Sequence, residues 1–134
     1  MSTDTTASVS THILDTSIGR PAEGVAVSLS ARSGPAAGWV ALGASATDAD
    51  GRCKDLPALP EGTTHVRLDF ETEAYFTRSN KTVKQAEAQQ DAPRVRDSGA
   101  FFPEVAITFA VVPGEHYHVP LLLNPFGYSV YRGS

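Results

Sequence analysis

Apolar residues recur at every second position in several stretches of this chain, and glycine or proline closes each stretch. Val25, Val27 and Leu29 alternate with Ala26, Ser28 and Ser30. Val66, Leu68 and Phe70 alternate with Arg67 and Asp69, and Val105, Ile107, Phe109 and Val111 alternate with Glu104, Thr108 and Ala110. A period of two fits a strand with one face in a core and the other in water, and it leaves no continuous stripe for a helix. Ile13-Leu14 and Trp39 to Ala44 supply further short runs. Gly19-Arg20-Pro21, Ser33-Gly34-Pro35, Asp48-Ala49-Asp50-Gly51 and Pro113-Gly114 read as the turns between them. Seven or eight short strands spaced this way predict an all-β sandwich.

Two segments depart from the pattern. Glu71 to Tyr75 reads as one short helix. From Arg78 to Gly99 the chain is polar and has no apolar stripe that could dock a helix, so an exposed insertion is expected there. The chain has 134 residues, which suits one domain with a single core. A Ser- and Thr-rich arm is expected at residues 1–9, with the folded domain at 10–134.

A formal net charge of −4 leaves no basic footprint, which argues against nucleic acid and against a membrane surface as partners. No apolar run reaches membrane-spanning length. The polar first ten residues resemble neither a secretory signal nor a transit peptide, so a cytoplasmic location is expected. Cys53 is the one cysteine, which excludes an intrachain disulfide. It lies between Arg52 and Lys54, cations that lower a thiol pKa when close. With no second thiol, a small buried side chain is the favoured reading.

The chemistry-bearing residues concentrate near the end of the chain, in His116-Tyr117-His118-Val119-Pro120, and near its start, at His12. On a strand, His116, His118 and Pro120 share one face, while Tyr117, Val119 and Leu121 share the other. If Val119 and Leu121 enter the core, His118 faces outward. The same parity places His12 on the side of Leu14. Zinc ligation, acid–base catalysis and a structural role all remain open for these imidazoles, although no Cys cluster or His-Glu motif accompanies them. His65 has no partner pattern and reads as structural, and His116 leans the same way. Arg52 leaves a tight Asp-Gly turn, where a fixed guanidinium could grip a planar anion or simply pair on the surface.

Thr11-His12-Ile13-Leu14-Asp15-Thr16, Gly19-Arg20-Pro21-Ala22, Asp50-Gly51-Arg52, Phe101-Phe102-Pro103-Glu104-Val105 and the terminal Tyr131-Arg132-Gly133-Ser134 together resemble the transthyretin-related 5-hydroxyisourate hydrolase family. The terminal four residues are the most specific of these motifs. The resemblance implies a transthyretin-like (prealbumin-like) sandwich of two four-stranded sheets, assembled as a homotetramer, a dimer of dimers with active sites in the channel between them. It implies catalytic roles for His12, Arg52 and His118, and substrate contacts from these three with Pro120, Tyr131 and Ser134. The implied reaction opens 5-hydroxyisourate by hydrolysis in urate breakdown, using a histidine base and an arginine that orients the ring, with no metal and no cofactor. A transthyretin-like carrier of small molecules is the alternative. A purely structural sandwich would leave the whole constellation without a purpose.

Overall fold

The computed structural model describes residues 6–85 and 99–133. Among the described residues, nine strands form two sheets. They are β1 (Ser8–Asp15), β2 (Arg20–Pro21), β3 (Ala26–Arg32), β4 (Val40–Ala46), β5 (Arg52–Cys53), β6 (His65–Phe70), β7 (Val105–Ala110), β8 (His116–Asn124) and β9 (Gly127–Val130). The first sheet runs β2-β1-β8-β9, and β5 also pairs with β1; the second runs β4-β3-β6-β7. The expected sandwich is present, with two-residue β5 as a fifth strand in the first sheet.

The alternation does what the sequence predicts. Val27, Leu29, Val66, Leu68, Phe70 and Val105 point from the second sheet toward Ile13, Leu121 and Leu123 of the first, and all are at most 1% exposed. Each such side chain contributes about 1.5–3 kcal/mol on burial, so the shared core outweighs any strand's own propensity.

Two sequence expectations need correction. Ser8, Val9 and Ser10, expected in or beside a disordered arm, belong to β1. Their partners are His116, Tyr117 and His118 of β8, in a parallel ladder that runs on to Asp15–Leu123. Val9 is buried while the serines beside it face out, so even this polar segment follows the strand period. Residues 1–5 lie outside the described residues.

The helix α1 spans Thr72–Gln85, well past Tyr75 and into the stretch expected to be an exposed insertion. Its first turns hold it. The Thr72 hydroxyl donates to the Phe102 carbonyl (2.6 Å), and Tyr75 and Phe76 are buried. The Tyr75 hydroxyl donates to the buried Asp15 carboxylate at 2.6 Å, and Arg78 donates to the Gly24 carbonyl at 2.7 Å. Anchored at one end, the helix extends over polar residues without needing an apolar stripe of its own. The rest of the expected insertion, residues 86–98, lies outside the described residues. Among the described residues, no helix is long and apolar enough to cross a membrane.

Candidate active site

The β1–β8 ladder fixes the site. Inward residues on both strands are buried, so Ser8, Ser10, His12 and Leu14 of β1 share the outer face with His116, His118, Pro120 and Leu122 of β8. In register, Ser10 lies beside His118 and His12 beside Pro120. On the other side of β1, the short β5 places Arg52 opposite His12. Three residues far apart in sequence therefore meet on one face. The His12 and His118 rings stand 6.5 Å apart between centroids, tilted by 31°, near enough for one small substrate to touch both.

The turn before Arg52 depends on its residue types. The Asp48 carboxylate accepts from the backbone N–H of Asp50 (2.9 Å) and of Arg52 (3.1 Å). These bonds hold its pKa down, the one from Arg52 foremost. Gly51 has φ +78°, and a Cβ there would collide with the Ile13 carbonyl oxygen. Only glycine lets this turn press against β1, and that contact aims Arg52 at His12.

Pro120 shapes the other wall. The Tyr131 N–H reaches its carbonyl at 3.4 Å, but proline has no N–H to return the bond, and the regular β8–β9 pairing ends at Leu121–Val130. The chain then comes back to β8, where the Gly133 N–H donates to the His118 carbonyl at 2.7 Å. A Cβ on Gly133 would lie 2.9 Å from His118 Cδ2 and 3.3 Å from Pro120 Cγ. The tail thus lies against both rings, and Pro120 is buried despite sitting on the outer face. Sequence reasoning singled out the tail's tyrosine and serine and passed over its glycine. The signal was a small residue inside an otherwise bulky ending.

His118 is the electrostatic centre. Partial burial pushes its pKa below the ordinary histidine value, and the nearby Arg52, His12 and His116 push it the same way. Its imidazole is therefore uncharged at neutral pH, as a proton acceptor must be. His116 is no isolated surface residue: its ring is hydrogen-bonded to Ser8 and Ser10. Ser8 and Ser10, which sequence reasoning missed, had the parity of the site as their signal, hidden by their place in a polar leader.

The remaining expectations divide. Tyr131 does not join the His12–His118 face of its own chain; with Ile107, Phe109, Tyr117 and Val119 it lines an apolar cavity near the β7 and β9 edges. Ser134 lies outside the described residues. His65 sits on the second sheet with its Nδ1 2.7 Å from the Thr64 hydroxyl. The Cys53 thiol is pushed up by burial, against the effect its cationic neighbours suggested. Among the described residues, no group of three or more histidines, cysteines or carboxylates could hold a metal ion.

Two antiparallel-rich sheets around one core, with three imidazoles and a guanidinium gathered on one outer face, define a transthyretin-like sandwich with a candidate active site on that face. The chain belongs to the HIUase/Transthyretin family, whose model matches residues 9–133. It is 40% identical to the 5-hydroxyisourate hydrolase of Salmonella typhimurium over 94% of this chain and 80% of that protein. It is 39% identical to the uric acid degradation bifunctional protein TTL of Arabidopsis thaliana over 94% of this chain, but spans only 37% of that longer protein. Among solved structures, the Klebsiella pneumoniae 5-hydroxyisourate hydrolase matches with a TM-score of 0.67 at 35% identity, covering 96% of this chain and 94% of that one. Transthyretin from Sparus aurata matches with a TM-score of 0.69 at 28% identity, covering 93% and 95%. Backbone shape does not separate the enzyme from the transthyretin; the side chains on the face must do so.

Proposed function

We propose that this protein hydrolyses 5-hydroxyisourate, opening a ring amide to give 2-oxo-4-hydroxy-4-carboxy-5-ureidoimidazoline. The observation that carries the reading is the convergence of His12, Arg52 and His118 on one face, with His118 held uncharged. His118 takes a proton from the attacking water, a contribution of roughly two to four orders of magnitude. Arg52 holds the planar, urate-like ring and stabilises the oxyanion as charge develops on the carbonyl oxygen. His12, across the gap from His118, binds the far side of the ring. Pro120 and Gly133, which lies against it, form a wall against which the substrate lies flat, and no metal or cofactor takes part.

The reading includes a homotetramer, a dimer of dimers whose central channel runs along this face. Leu14 and Leu122 lie on it as partly exposed apolar residues, which suits a surface covered by another copy. Light scattering at working concentration should give the tetramer mass. The reading also includes the cytoplasm, where a lone buried thiol stays reduced. A carrier could use the same sandwich, but binding alone needs no uncharged imidazole beside a guanidinium. Adding the protein to freshly generated 5-hydroxyisourate should speed its ultraviolet decay well beyond the spontaneous rate. A decay rate unchanged by the protein, with the compound still bound, would favour the carrier.

A further inference from the structure

The outer face of β1 and β8 holds an unbroken chain of hydrogen bonds that reaches His118 from outside. Ser8 Oγ lies 2.7 Å from His116 Nδ1, His116 Nε2 lies 2.9 Å from Ser10 Oγ, and Ser10 Oγ lies 2.8 Å from His118 Nδ1. All three distances are those of good hydrogen bonds. Ser8 and His116 are exposed, whereas Ser10 and His118 are half-buried, so the chain leads from solvent to the proposed base. The parallel register creates it, because it sets Ser8 beside His116 and Ser10 beside His118. The Arg52 guanidinium and the His12 ring flank the inner end, and the Glu115 carboxylate, 3.2 Å from Arg132, lies next to the outer end.

We propose that Ser10, His116 and Ser8 form a proton relay that connects His118 to solvent during hydrolysis. The proposal rests on the hydrolytic reading, since the reaction supplies the proton. The Ser10 hydroxyl has one hydrogen, so it donates to one of the two rings and accepts from the other, which locks their tautomers together. With His118 Nε2 free for the substrate, His118 Nδ1–H donates to Ser10, Ser10 O–H donates to His116 Nε2, and His116 Nδ1–H donates to Ser8.

Amide hydrolysis draws two protons from water. His118 passes the first to the leaving ring nitrogen as the C–N bond breaks. The second remains when the new acid becomes a carboxylate. His118 Nε2 takes that proton, and its Nδ1 proton moves to Ser10. The Ser10 proton moves to His116 Nε2, the His116 Nδ1 proton moves to Ser8, and the Ser8 proton leaves to water. One proton enters and one leaves, and no ring stays charged beside Arg52. Once product departs, Nε2 gives its proton to water in the open site, and the chain refills from Ser8.

Ser10 and His116 are positioning residues in this scheme and never touch the substrate, so their effect must show as proton transfer. The test compares the unsubstituted protein with His116→Gln, Ser10→Ala and Ser10→Thr on 5-hydroxyisourate. We expect His116→Gln and Ser10→Ala to lower kcat on the order of tenfold, part of the total acid–base contribution. KM should change by less than about twofold. Added imidazole should restore most of the loss, and Ser10→Thr, which keeps a hydroxyl, should stay near the original rate. A proton inventory in mixed light and heavy water should curve for the unsubstituted protein and straighten for the two damaged variants. Unchanged kcat in both variants, or a loss that imidazole does not restore and that Ser10→Thr shares, would overturn the relay alone. No acceleration by the unsubstituted protein would overturn the hydrolytic reading and the relay with it.

Discussion

The two sheets present outer faces built by the same alternation, yet only one of them gathers chemistry. On the first sheet, residues from β1, β5 and β8 bring three imidazoles, a guanidinium and two hydroxyls within reach of one another. On the second, Arg32 and Arg67 both lie over the Trp39 ring, at 4.7 and 5.0 Å, and the His65 ring bonds its sequence neighbour Thr64. Both faces hold cations and a histidine, so composition does not distinguish them. The difference lies in neighbours. In the first sheet, strands from opposite ends of the chain run in parallel and place like positions side by side. In the second, every pairing is antiparallel, and its histidine faces Arg32 and Ala110 across the ladder. A site needs groups with complementary roles close together, and register decides that.

The largest expected effect breaks this contrast directly. His118→Ala should lower kcat and kcat/KM together by about 100-fold or more, whereas His65→Ala should leave both unchanged, measured by 5-hydroxyisourate decay. Equal losses from the two would mean that the first face holds no special position. Arg52→Ala should come next, with kcat reduced by about 100-fold and KM raised, because the guanidinium holds both ground state and oxyanion. It should also shift the pH profile. The unsubstituted protein should lose activity as pH falls through a value below about 6.5, where His118 becomes charged. Removing the nearby cation should move that limb upward, though not the whole way, since burial, the largest cause of the low pKa, remains. The stability sign agrees: because the folded-state pKa is depressed, stability present above the ordinary histidine value is lost as pH falls through the folded-state pKa.

A smaller effect should follow from Gly133→Ala. The added methyl would press on the rings of His118 and Pro120, so kcat should fall by about tenfold with little change in melting temperature. A variant of native rate would show that the tail's close approach does not set the His118 ring. The smallest effect belongs to the second face. Trp39→Ala should leave turnover intact and cost about 0.5–1 kcal/mol of stability for each of the cation–π interactions that Arg32 and Arg67 make with the indole, read from denaturant unfolding. A clear drop in turnover would tie the second sheet to the site and erase the distinction between faces.

How much of this was legible in the sequence differs by residue. The alternation of Val27, Leu29, Val66, Leu68 and Phe70 identified the sandwich, because burial on one face is a local property written at every second position. Parity alone turned His12 and His118 outward. The helix was cut short because a propensity argument could not see its anchors, Thr72 on Phe102 and Tyr75 on Asp15, which lie 30 and 60 residues away. Ser8 falls in the expected arm and Ser10 at its border for the same reason, since a polar strand edge is recognisable only beside its partner.

The sequence by itself determined the longer strands, the inward and outward sides of each, and the outward-facing histidines. These follow from periods of two and from the fixed geometry of a pleated backbone. The two-residue strands β2 and β5 were not among them, Arg20 and Pro21 having the look of a turn. The tertiary structure alone decided that Ser10 meets His118 across a separation of 108 residues, that Arg52 faces His12, and that Gly133 lies against both Pro120 and the proposed base. Register is the reason. A shift of a parallel strand by one position would keep each strand's own pattern and reverse which side chains share a face, and only the packed core forbids it.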